Sequence, residues 1–165
     1  MKILCPTKAP LGVEMKSRRS AVAALVFALS VSAFAALGGD ATSVQVDQAR
    51  MKGSLRSVQK ESYAVHEITT STGTLVREYV SPAGKVFGVA WQGAFVPDLQ
   101  QLLGTYFEQY SQAAKEQRAN HVGRRPLYIQ KSGLVVQTGG HMRSYVGRAY
   151  VPEMLPQGVT ADAIR

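Results

Sequence analysis

Three histidines, His66, His121 and His141, are the first side chains to test for metal or acid–base chemistry. His66-Glu67 opens like the H-E-x-x-H zinc motif, but position 70 is threonine and the segment alternates like a strand. The second ligand and the helix that would aim it are both missing. The three could meet only through the fold, with Glu67, Glu78 or Asp98 as a fourth ligand; solvent-facing or turn histidines are the simpler expectation. Ser57 and Lys60 match S-x-x-K, without the S-D-N and K-T-G that accompany it in penicillin-binding enzymes, and no G-x-S-x-G elbow occurs. Glu67 and Glu78 could face each other across a hairpin as a carboxylate pair for glycoside chemistry. Gly84-Lys85 and Gly139-Gly140 lack the strand–loop–helix setting that cradles phosphate and read as turns. No catalytic residue, metal site or cofactor is therefore expected.

Recognition chemistry has more to work with. Arg124, Arg125, Lys131, Arg143 and Arg148 are interleaved with Tyr128, Tyr145 and Tyr150, the mixture of cations and flat rings that attracts anions. Arg143 and Arg148 are five residues apart, so on one strand they point to opposite faces, and alternation pairs Arg143 with Tyr145. Arg143 and Tyr145 are the candidate surface for an anionic partner. Trp91, at the end of an apolar strand, reads as a plug of the core where helix and sheet meet, or else as a separate hydrophobic candidate, a rim aromatic for a sugar ring, peptide or acyl chain.

The elements that position these groups can be read from period and punctuation. Asp40–Lys52 reads as a short helix capped by Asp40 or Thr42, with Val44, Gln48 and Met51 as a thin stripe. Ser62–Thr70, Thr74–Ser81 and Lys85–Gln92 read as three strands of a meander, turned at Ser71-Thr72-Gly73 and Ser81-Pro82-Ala83-Gly84. Alternation in the third puts Phe87, Val89 and Trp91 on one face and Val86, Gly88 and Ala90 on the other. Leu99, Leu102, Leu103, Tyr106, Phe107, Tyr110, Ala113 and Ala114 recur at helical spacing behind a capping Asp98, predicting one amphipathic helix to about Lys115 or Arg118. Gly104 inside it costs about 1 kcal/mol. A second meander follows from Leu127–Lys131, Leu134–Thr138 and His141–Val151, turned at Ser132-Gly133 and Gly139-Gly140. Gln157–Arg165 is a tail or cap with one helical turn from Thr160. The expected class is α+β: antiparallel meanders, one long amphipathic helix packed on the sheet, and a short N-terminal helix.

Ahead of this lies AVAALVFALSVSAFAA, residues 21–36, uncharged and preceded by Lys16, Arg18 and Arg19. Sixteen residues span roughly 24 Å as a helix, short of a ~30 Å hydrocarbon core. With Ala33-Phe34-Ala35 near its end, the run has the order of a cleavable secretory signal, residues 1–35, leaving 36–165 as a single exported domain. Met15 opens MKSRRS and is a second candidate start. Cleavage would take Lys2, Lys8, Lys16, Arg18, Arg19 and Glu14, reducing the formal charge from +8 to +4. That removes half of the case for nucleic acid. Cys5, the chain's one cysteine, would leave too, so neither a disulfide nor a thiol nucleophile remains.

The runs VREYVSPAGKVFGVAWQGAFVPDLQQLLGTYF (76–107) and GLVVQTGGHMRSYVGRAYVPEMLPQGV (133–159) resemble a family of small secreted proteobacterial proteins known as a domain of unknown function. The resemblance covers essentially the whole chain after the signal and implies a Gram-negative exported protein, periplasmic or secreted, with no functional residues to carry over. The expected function is non-enzymatic binding or accessory work in the envelope, on an anionic component or another envelope protein. The alternatives are a hydrolase of an envelope polymer and a structural or export accessory protein.

Overall fold

The structure is a computed structural model that describes residues 37–119 and 126–165. The proposed signal, Met15, His121, Arg124 and Arg125 lie outside the described residues. Seven strands form: β1 Ser54–Gln59, β2 Ala64–Thr69, β3 Leu75–Val80, β4 Val86–Gly93, β5 Leu127–Lys131, β6 Leu134–His141 and β7 Ser144–Tyr150. They make one antiparallel sheet in the order β1-β2-β3-β4-β7-β6-β5. The two meanders are thus joined by the pairing of β4 with β7, from Gly88 opposite Tyr150 to Gly93 opposite Tyr145. The helices are α1 Ser43–Arg50, α2 Leu99–Leu103 and α3 Phe107–Ala119. The α+β expectation is met, with β1 as an added edge strand.

One face of the sheet carries the helices. Ile68, Val76, Val89, Trp91, Val136 and Ala149 pack with Val44 of α1, Leu102 and Leu103 of α2, and Tyr110, Ala113 and Ala114 of α3. The predicted helical stripe is therefore buried where periodicity put it. Its backbone is not continuous: Gly104 takes φ +50°, ends α2, and a 3-10 turn over Gly104–Tyr106 leads into α3. The glycine is there for a conformation that other residues adopt at a cost, not as a weak helix former. Asp98 caps α2 as expected, its Oδ1 accepting from the N–H groups of Gln100 and Gln101. Neither Asp40 nor Thr42 supplies a side-chain cap to α1; the Asp40 carboxylate instead accepts from Lys85 Nζ at 2.7 Å.

The other face is covered by the chain end. Val65, Tyr79, Phe87 and Ala90 pack beneath Ile164, flanked by Leu155 and Val159. Residues 152–165 act as a strap with a 3-10 turn at Ala161–Ala163. Arg148 Nη1 donates to the carbonyls of Ala161 and Ile164, at 2.8 and 3.1 Å. Tyr79 Oη donates to the main-chain oxygen of Arg165 at 2.7 Å and accepts from the Arg165 N–H at 3.0 Å. Gly88 explains the strap's close seat: a Cβ there would lie 2.7 Å from Ile164 Cδ1.

Two assignments, one from alternation and one from glycine as a turn residue, need correcting. Val80 pairs with Val86 and Tyr79 with Gly88, so Phe87 is an extra residue in β4. This bulge reverses the pleat: Val86 joins the helix-side core and Phe87 the strap-side cluster. Gly139-Gly140 is not a turn. Both glycines lie inside β6, and the chain reverses at Met142-Arg143. At Gly140, φ is +109° and a Cβ would lie 2.1 Å from the Ser144 carbonyl oxygen, so that position demands glycine within a strand.

Candidate functional site

Cross-strand register decides which side chains meet. Arg56, Glu67 and Arg77 are successive partners across β1, β2 and β3, and so share one face, the strap side. Arg77 Nε donates to Glu67 Oε1 at 3.1 Å, and Arg56 Nη1 stands 3.9 Å from Glu67 Oε2. Arg77 Nη1 also donates to the main-chain oxygen of Arg165 at 3.0 Å. These groups line a groove of about 610 Å³, together with Lys60, Arg165, Tyr63 and Tyr79. Four basic residues and one acidic side chain line it. The Arg56 side chain is 78% exposed, so its guanidinium is free to reach a ligand, while Arg77 is fixed by its two partners. Tyr63 and Tyr79 stand 6.0 Å apart by ring centroids, and burial pushes the Tyr79 phenol above its ordinary pKa.

Across Arg165 and Gln92, which border both spaces, lies a second groove of about 520 Å³ over β4, β7, β6 and β5. Its walls include Pro126, Tyr128, Val146 and Ile164, and no lining residue is acidic. Val146 faces Gly139 in register, and Gly139 has nothing closer to a would-be Cβ than Pro126 at 3.8 Å. The missing side chain leaves the floor open. Arg148 lies along this groove with Nε on Gln137 Oε1 at 2.8 Å and Nη1 on the strap carbonyls. Both spaces fall within the ~300–1,000 Å³ range of small-molecule sites.

The helix face holds a different constellation. Ser57, His66 and Glu78 are successive register partners, with Ser57 Oγ 2.8 Å from His66 Nδ1. Burial lowers the His66 pKa. Glu78 is fully buried, as is Asp47 of α1. Gln101 Nε2 donates to Asp47 Oδ1, whereas Asp47 Oδ2 and both Glu78 oxygens meet no protein donor. The two carboxyls adjoin, and a shared proton would pair Asp47 Oδ2 with one of the Glu78 oxygens. Burial, followed by the Asp47 charge, pushes Glu78 up to about 9; burial likewise raises Asp47 to about 6. Both shifts favour the protonated form, Glu78 more strongly than Asp47. A Ser–His–acid relay needs an acid hydrogen-bonded to the imidazole, and no hydrogen bond joins Glu78 to His66.

The residues singled out from sequence fall in separate places. Arg143 is exposed in the β6–β7 turn with φ +63°, so strand alternation does not apply to it and gives no common face with Tyr145. Tyr145 is half-buried opposite Gly93. Trp91 is 2% exposed, its ring lying over Gly147, where a Cβ would come within 2.2 Å of Cζ2; it borders the apolar groove from the core side. Glu67 and Glu78 lie on opposite faces, because Glu67 pairs with Arg77 and Glu78 with His66, so they form no carboxylate pair. His141 is exposed at the end of β6. The basic groove was missed because its cations come from β1, the following turn, β3 and the strap. Only the alternation of Arg56 and Arg77 with apolar neighbours hinted at a common face.

Among the described residues no group of three or more His, Cys, Asp or Glu is arranged to hold a metal ion, and no helix is long and apolar enough to cross a membrane. No curated protein and no solved structure matches the chain. Residues 33–164 match the family described as a protein of unknown function (DUF2844). With four-fifths of its length inside that match, the chain belongs to the DUF2844 family.

Proposed function

We propose that this is an exported, non-enzymatic binding protein of the Gram-negative envelope, and that it takes an anionic envelope component in the basic groove. The observation that carries the reading is the convergence of Arg56, Lys60, Arg77 and Arg165 on one concave space whose lining has Glu67 as its single acidic side chain. Arginine offers a planar fork to phosphate, sulfate or carboxylate, and the two tyrosines add contact area at low entropy cost. The absence of a hydrogen bond between Glu78 and His66 favours binding over hydrolysis.

Calorimetry with butyl phosphate, a short-chain anion, tests the groove. Affinity should fall as salt rises from 20 to 200 mM, since exposed charges are screened. It should fall about tenfold or more in Arg56→Glu/Lys60→Glu, whose circular dichroism should match wild type because surface changes cost less than about 0.5 kcal/mol each. Arg143→Ala serves as the competing arm. Loss of binding there, with the groove variant unaffected, would return the site to the β6–β7 turn and Tyr145.

Export is tested separately. The Lys16/Arg18/Arg19, apolar-run and Ala33-x-Ala35 succession leads us to expect protein from fractionated cells in the periplasm or medium, with an intact mass starting at Ala36. Full-length protein confined to the cytosol would overturn this part.

A further inference from the structure

We propose that the ligand is an anionic amphiphile, with its charged head in the basic groove and a single aliphatic chain along the apolar groove. This rests on the basic groove being the binding site and adds the ligand's class. The two spaces lie on the same face of the sheet and share Gln92 and Arg165 as border residues. Their chemistry is opposite. On one side stand Arg56, Lys60 and Arg77; on the other, Pro126, Tyr128 and Val146 stand out in a lining that contains no acidic residue.

The exposure pattern fits an occupant that is apolar at one end. Tyr128 is 50% and Val146 42% exposed, two of the few large hydrophobics left in water among the described residues. Both point to the strap side: Tyr128 pairs with Gln137, and Val146 pairs with Gly139 and Gln92. Arg148, the cation inside the apolar groove away from the shared border, is already committed to Gln137, two strap carbonyls and Asp162. A second anionic group there would have to break those bonds, whereas a hydrocarbon chain would cover Val146 and Tyr128 without disturbing them. Glycine at position 139 keeps the floor low where the chain would pass. An uncharged chain would leave the cations unused, and a compact anion would leave the apolar side empty. A molecule with one ionised head and one chain uses both.

The test compares butyl phosphate with dodecyl phosphate, each below its micelle concentration, by calorimetry on the folded protein. Each methylene removed from water adds affinity in proportion to the area covered, so dodecyl phosphate should bind at least thirtyfold more tightly. Val146→Glu and, independently, Tyr128→Ala should remove most of that advantage while leaving butyl phosphate affinity within about twofold. Either variant alone suffices if the other proves unstable by circular dichroism. Equal affinity for the two phosphates would overturn the amphiphile proposal and leave the basic-groove reading standing. A chain-length advantage unchanged in both variants would also overturn it, because the chain would then lie elsewhere. Binding of neither phosphate would overturn both readings, and tight binding of dodecyl maltoside equal to that of dodecyl phosphate would show that the charged head plays no part.

Discussion

Replacing Glu78 by glutamine should raise stability at neutral and alkaline pH, and the gain should shrink to nothing near pH 4. Glu78 and Asp47 are both fully buried, between β3 and α1. Burial first, and mutual repulsion second, raises Glu78 from 4.5 to about 9; burial raises Asp47 from 3.8 to about 6. Between about pH 4 and pH 9 the folded chain therefore holds protons that the unfolded chain has released. Stability must fall as pH rises through that window, since the state binding more protons is disfavoured as protons become scarce. The other groups around the pair are Gln101, which donates to Asp47, and the charges of Arg50 and Asp98, which act on Asp47 in opposite directions. Glutamine keeps the shape and supplies a permanent N–H to Asp47, so the pair no longer needs a shared proton. The gain at pH 8 should be about 1–3 kcal/mol, the usual cost of an unsatisfied buried polar group. Urea unfolding of both proteins from pH 4 to pH 9 measures it. A wild-type-to-variant difference that is constant with pH would mean that the two carboxyls do not share a proton.

That pair also marks where sequence reading stops. The α1 stripe of Val44, Gln48 and Met51 was legible, yet Asp47, buried on the same helix, was not, because its burial depends on Glu78 and Gln101 from distant elements. The strands rich in Val, Ile and Tyr were legible; β1, Ser54–Gln59, was not, since an edge strand with mostly exposed side chains carries little apolar alternation. Ser132-Gly133 and Ser81–Gly84 turn as their residues dictate. Gly139-Gly140 carries the same signal and is a strand, because backbone proximity at Ser144 and an open groove floor, not reversal, explain the two glycines. A bulge of one residue at Phe87 exchanged the faces of Val86 and Phe87, which no periodicity argument detects. The basic groove depends on register across three strands plus the strap, and Arg143 falls on a turn rather than a strand because the β6–β7 reversal lies at Met142-Arg143 and not at Gly139-Gly140.

The largest loss of stability is expected at Leu103. Its side chain is fully buried together with Leu102, beneath which the sheet presents Val76, Val89 and Trp91. α2 has only five residues and is followed by the left-handed Gly104. A helix so short has no stability of its own in water, because nucleation costs more than a single turn returns. Its position therefore depends on its cap at Asp98 and on the two leucines. The Leu102 carbonyl in turn accepts the Leu37 N–H at 3.0 Å, tying residue 37 to the same seat. Leu103→Ala should cost about 2–5 kcal/mol through lost transfer energy and the cavity left behind. Against a typical total of about 5–15 kcal/mol, that is enough to unfold a marginal domain at 37 °C. Gln112→Ala is the control: its side chain is exposed and donates only to Glu108 on the same helix at 3.0 Å, so the change should stay within about 0.5 kcal/mol. Denaturant midpoints decide the matter. If Leu103→Ala and wild type unfold at the same urea concentration, α2 is not seated on the sheet. The tie from Leu37 to Leu102 and the Gln101 contact to Asp47 would then go with it, leaving the carboxyl pair open to water.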